Sequence, residues 1–158
     1  MPPRTAERYT IAEEPAGDAY AALLRFALGH CNAGILVLRN ATEIGPAAAG
    51  ILKRIGRSII SKEEAAQWPG TRLIDHTATV CRFEYNDIVC DALTKATDHL
   101  YGWMEPELPE DLCLIRPDGR PWLVCISHEH DGYLDLDPGE YKALITNVWL
   151  RLILETSH

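Results

Sequence analysis

The chain has 158 residues, 47% of them hydrophobic and 24% charged, with a formal net charge of −8. These proportions are those of a soluble globular protein; they exclude a disordered acidic tail, a collagen-like fibre and a disulfide-stapled miniprotein. The length predicts one domain, large enough to bury roughly two thirds of its unfolded surface without a structural metal or crosslink.

Taken in chain order, residues 1–12 are polar and carry two prolines, which predicts a loosely ordered leader. Asp18 then precedes Tyr20, Leu23, Leu24, Ala27 and Leu28, a three-and-four spacing that predicts an amphipathic helix ended by Gly29. Gly34 to Leu38 is a continuous apolar run, the pattern of a strand buried on both faces. A second helix is expected from Pro46 to Ile55, with proline in the first turn, where its missing N–H costs little. Ser61-Lys62-Glu63-Glu64 reads as a capping box opening a short helix that Pro69-Gly70 ends. Thr77 to Tyr85 alternates with period two and predicts a strand. Asn86 or Asp87 caps the next helix, whose apolar stripe is Ile88, Ala92, Leu93, Ala96 and Leu100, with Gly102 closing it.

Between Asp111 and Leu136, Asp118-Gly119 and Asp131-Gly132 separate three β-rich runs, which predicts a three-stranded antiparallel meander. Asp137-Pro138-Gly139-Glu140 then starts a last helix carrying Tyr141, Leu144, Ile145, Val148 and Leu152. The expected fold is α+β: a mostly antiparallel mixed sheet of about five strands packed with four or five helices.

The charge is unevenly placed. Ten carboxylates between Glu105 and Glu140 face only Arg116 and Arg120, so this stretch accounts for the whole net charge. It disfavours phosphate-driven nucleic-acid binding and suits the steering of a basic partner. Five cysteines, Cys31, Cys81, Cys90, Cys113 and Cys125, sit in apolar runs without a Cys-x-x-Cys pair, as small core residues in a reducing compartment do. No secretory signal follows Met1-Pro2-Pro3-Arg4, and no uncharged stretch reaches the ~20 residues of a spanning helix. A cytoplasmic location and no membrane contact are expected.

Catalytic signatures are sparse. Gly45 to Gly50 has P-loop glycine spacing, but Ile51 and Leu52 stand where Lys and Ser or Thr are needed. Lys53, Arg54 and Arg57 read as a solvated helix face. No Gly-x-Ser-x-Gly elbow is present, and the apolar settings of the cysteines do not favour a thiolate. Ser127-His128-Glu129-His130-Asp131 is the one constellation suited to chemistry. If Asp131-Gly132 is a two-residue turn, His130 pairs with Tyr133 and His128 with Asp135, placing His128, His130 and Asp135 on one face. Two imidazoles and a carboxylate are the ligand set of non-haem iron and catalytic zinc. An exposed cross-strand pair at a hairpin tip explains the same residues without a metal.

Trp68, Trp103 and Trp122 lie beside proline or glycine at element ends, a setting that core anchoring and interface contacts both explain. Met104 to Asp111 is a stiff, acidic, proline-spaced segment. The leading expectation is a non-enzymatic protein-binding domain, of an immunity-like (toxin-neutralising) or other regulatory kind. It would need no cofactor and meet a basic protein through Glu105, Glu107, Glu110, Trp103 and Trp122. The alternative is a metal-dependent enzyme using zinc or iron at His128, His130 and Asp135, and a third is a small-ligand pocket beneath the tryptophan-bearing loops.

Overall fold

The computed structural model describes residues 6–40, 43–151, 153 and 154. Seven strands form one sheet: β1 (Glu7–Thr10), β2 (Ala33–Leu38), β3 (Ile59–Ala65), β6 (Ala78–Glu84), β7 (Glu110–Ile115), β8 (Pro121–Ile126) and β9 (Asp131–Leu136). The two remaining strands, β4 (Gln67–Trp68) and β5 (Thr71–Arg72), make a small separate hairpin. The main sheet runs β1-β9-β8-β7-β2-β6-β3, and every neighbouring pair is antiparallel. Four α-helices accompany it: α1 (Asp18–Ala27), α2 (Pro46–Arg54), α3 (Asp87–Ala96) and α4 (Pro138–Thr146). The architecture is therefore α+β, with seven main-sheet strands rather than five.

Both additional strands are sheet edges formed by segments whose sequence suggests something else. The polar leader supplies β1, in which Tyr9 is buried and stacks on Tyr141; residues 1–5 of that leader lie outside the described residues. The capping box at Ser61 is not used as one. Glu64 instead accepts hydrogen bonds from Thr77 and Thr79 across the β3–β6 pair, at 2.9 and 2.6 Å. A helix there would have had no apolar stripe to bury, whereas pairing with β6 satisfies the backbone on one side.

Helix ends follow local chemistry more closely. The Asn86 side chain accepts from the Val89 N–H at 3.0 Å, the expected cap of α3. That helix stops at Ala96; Leu100 packs from a 3₁₀ turn (Leu100–Gly102), and Ile88 points outward, 77% exposed. Asp137 and Glu140 form a reciprocal capping box at α4, which ends at Thr146 and leaves Val148 exposed. Leu152 lies outside the described residues.

All four helices contribute to one core, against Leu36, Phe83, Leu112, Leu114, Leu123 and Leu134 of the sheet. Each buried leucine in it contributes about 1.5–3 kcal/mol of transfer free energy. The opposite face carries a smaller core of Ile35, Val37, Cys113 and Val124, covered by Trp68 from the β4–β5 hairpin. Gly70 in that hairpin adopts φ +88, and a Cβ there would stand 2.8 Å from the Val124 side chain. Cores on both faces explain why every residue of β2 and β7 is buried.

Candidate functional site

Small residues on two helices open a groove on the helix side. Ala47 and Gly50 of α2 and Ala92 and Ala96 of α3 line a cavity of about 300 Å³. A second cavity of about 420 Å³ adjoins it through Ala47, Ala96 and Leu108, and its wall is completed by His99, Tyr101 and His130. The segment Met104–Leu108 forms one rim, where Glu43, Glu105 and Glu107 surround Pro106. Asn40 draws two of these carboxylates together: its backbone N–H donates to Glu105 Oε2 at 3.2 Å and its side-chain amide to Glu43 Oε2 at 2.9 Å. Burial raises the pKa of Glu105 above the usual carboxylate range; the Glu110 charge adds to the rise, and the Asn40 N–H opposes it. Arg54 of α2 lines the smaller cavity; among the described residues, no lysine or arginine lines the larger cavity or the rim around Pro106.

A different arrangement sits at the start of β7. Ile35 pairs with Cys113 and Val37 with Glu110, so Asp111 and Leu112 together oppose Leu36 in a β-bulge. Asp111 takes the left-handed conformation, φ 55, which a side chain other than glycine adopts at a cost of about 1–2 kcal/mol. The bulge turns its carboxylate into the protein, where Asp111 is fully buried. Trp68 Nε1–H donates to Oδ2 at 3.1 Å and the Ser127 backbone N–H to Oδ1 at 3.0 Å. Arg39 Nη2 lies 3.6 Å from Oδ2 and its Nε against Glu110 Oε2, with the guanidinium carbon 5.3 Å from the Trp68 ring centroid. His128, on the 3₁₀ turn Ser127–Glu129, completes the group: donor atoms of Glu110, Asp111 and His128 all lie within 4.8 Å of one another.

This geometry corrects the histidine hairpin. The β8–β9 turn is Ser127–His130, with His130 left-handed at φ 51, and Asp131 already pairs with Ile126. Gly132 is not a turn residue; a Cβ there would lie 3.0 Å from the Val124 carbonyl oxygen, so glycine permits close strand contact. His128 and His130 thus leave the ladder. His130 meets the edge of Tyr101 beside the groove, and Asp135 pairs with Arg8 four residues along β9. The set His128, His130 and Asp135 is not brought together; His128 alone joins a possible ligand group.

The acidic segment divides as well. Glu105 and Glu107 line the groove, whereas Glu110 is 7% exposed and belongs to the Arg39 cluster. Trp103 and Trp122 are fully buried, which withdraws them as contact residues. Trp103 Nε1–H donates to the Tyr20 hydroxyl at 3.0 Å, which in turn donates to the Leu93 carbonyl at 2.7 Å. All five cysteines are buried, and burial pushes the Cys31 and Cys113 thiols up to about 12.

Arg39, Glu43, Trp68 and Asp111 carry no motif; the one local signal is a pair of acids heading the apolar run Leu112–Ile115. No described helix is long and apolar enough to cross a membrane. Compared with known proteins, the chain matches no family model, no curated protein and no solved structure.

Proposed function

We propose that the chain is a protein-binding domain that takes a basic segment of its partner into the groove beside Met104–Leu108. The observation that carries this reading is the rim itself: Glu43, Glu105 and Glu107 around Pro106, over a floor that includes Ala47, Ala96 and Leu108. An apolar floor accepts the stem of a lysine or arginine, and the carboxylates meet its charged head. The elevated pKa of Glu105 fits a carboxylate that gains from a cation, since a positive charge offsets the cost of its burial. An immunity-like or regulatory role is one biological setting for such a domain.

The test uses fluorescent peptides of equal length and basic, neutral or acidic composition, with anisotropy read at two salt concentrations. Basic peptides are expected to bind, more weakly as salt rises, and Glu105→Gln with Glu107→Gln should weaken them about tenfold. Affinity should also grow as pH rises through the upper carboxylate range, because Glu105 must lose its proton to pair. Basic peptides that bind no better than neutral ones, or that ignore the double substitution, defeat the reading.

A further inference from the structure

We infer that Glu110, Asp111 and His128 form a divalent-cation site in which Arg39 is the resident counter-ion that the metal displaces. This site lies apart from the groove and does not depend on the reading of it. Two carboxylate oxygens and an imidazole nitrogen suit a first-row divalent ion such as manganese, iron or zinc. Donor atoms within 4.8 Å of one another need to close to about 3–3.5 Å for bonds near 2.1 Å. His128 can supply that movement, because its side chain is 43% exposed on a short turn, while the Asp111 carboxylate is held by Trp68 and Ser127.

Charge supplies the second argument. Glu110 and Asp111 are more than nine-tenths buried, and one guanidinium faces the two of them. Buried charge in deficit is settled by pairing or by a metal ion. Arg39 meets the carboxylates without directional bonds: its Nε and Nη2, and Glu110 Oε2, are buried yet lack hydrogen-bond geometry. A doubly charged ion attracts the same oxygens more strongly than a guanidinium does. The displaced Arg39 side chain, 29% exposed and already beside the Trp68 ring, has a short route outward. Asp111 stays in place throughout, because Trp68 Nε1–H and the Ser127 N–H each occupy one lone pair and leave others for a metal.

The experiment titrates the intact chain with cobalt(II) or zinc(II) chloride alone, following cobalt absorption, calorimetry and tryptophan emission. One equivalent is expected to bind, with cobalt quenching Trp68; the quenching should disappear in Trp68→Phe. His128→Ala and Glu110→Gln should each weaken binding about tenfold or more, whereas His30→Phe, on a different element, should leave it unchanged. Arg39→Met, which keeps the length and removes the charge, should tighten binding about tenfold by removing the competitor. Sub-stoichiometric uptake by the wild type, or uptake that survives both His128→Ala and Glu110→Gln, overturns the proposal. Those wild-type and single-ligand measurements decide the matter even if Arg39→Met fails to fold.

Discussion

Arg116 and Arg39 both reach buried carboxylates, yet only Arg116 is held by directional bonds. Its Nη1 and Nη2 grip Glu140 at 2.7 and 2.6 Å, and Nη2 also donates to the Asp135 carbonyl at 2.6 Å. Glu140 in turn accepts from the Asp137 N–H at 2.8 Å and lies 3.1 Å from His30 Nδ1. One cation faces one anion, and the fork geometry matches both oxygens. At Arg39 one cation faces two anions, and neither contact has hydrogen-bond geometry. The first cluster fastens the β7–β8 turn, β9 and α4 together. The second sets one guanidinium against two buried carboxylates beside an exposed histidine, and the proposed cation site rests on that contrast.

The comparison breaks first, and most visibly, at Glu140. Glu140→Ala strands the Arg116 guanidinium and removes half of the α4 capping box, so a loss of about 3–5 kcal/mol in urea unfolding is expected. Burial pushes the Glu140 pKa up, but Arg116 and the Asp137 N–H outweigh burial and hold it below the usual carboxylate range. A carboxyl lowered in the folded state stabilises above its unfolded pKa of about 4.3 and loses that contribution as pH falls through its folded value. The gap between wild type and Glu140→Ala should therefore stay flat from neutral pH down to about 5 and close below about 4. A gap that widens on acidification contradicts the assignment.

Asp111 is the corresponding probe of the second cluster, with a smaller effect. Asp111→Ala orphans the Trp68 Nε1–H and Ser127 N–H and leaves alanine at φ 55; about 2–4 kcal/mol should be lost. Asn tolerates the left-handed conformation and keeps one oxygen acceptor, so Asp111→Asn should cost about 1 kcal/mol. Urea denaturation of the two variants separates hydrogen bonding from charge. If Asn is as damaging as Ala, the negative charge itself braces the fold, and the contrast with Arg116 collapses.

The first cluster was half legible in the sequence and the second hardly at all. Asp137-Pro138-Gly139-Glu140 announces its helix because capping is local chemistry, and the cap fixes Glu140 where Arg116 can reach it. Asp118-Gly119 likewise marks the turn between β7 and β8, with Gly119 at φ +89. Ser61-x-x-Glu64 matches a cap equally well and yet becomes an edge strand, because Thr77 and Thr79 offer Glu64 partners far along the chain. The Asp111 bulge depends on strand register between β2 and β7, and Trp68 arrives from a hairpin folded over the opposite face. Neither the register shift nor that cover leaves a periodic mark. The histidine hairpin failed for a related reason: Gly132 signals a close approach to Val124, and the turn is centred three residues earlier.

His30 provides the finest discrimination between a saturated and an unsaturated ion cluster. Its ring stacks on Trp122 at 5.9 Å with an 8° interplanar angle and lies 5.0 Å from Phe26, while Nδ1 approaches Glu140. Replacement by phenylalanine keeps the aromatic stack and removes only the polar contact. Because Arg116 already meets both Glu140 oxygens, and the His30 side chain is 28% exposed, His30→Phe should cost no more than about 1 kcal/mol at neutral pH. Urea midpoints of wild type and variant, with Trp122 emission as an independent probe of the stack, measure this. A loss approaching that of Glu140→Ala would mean that the guanidinium alone does not satisfy Glu140. Glu140 would then need a second cation beside Arg116, as the two carboxylates facing Arg39 do, and the distinction between a bracing pair and an available one would lose its physical basis.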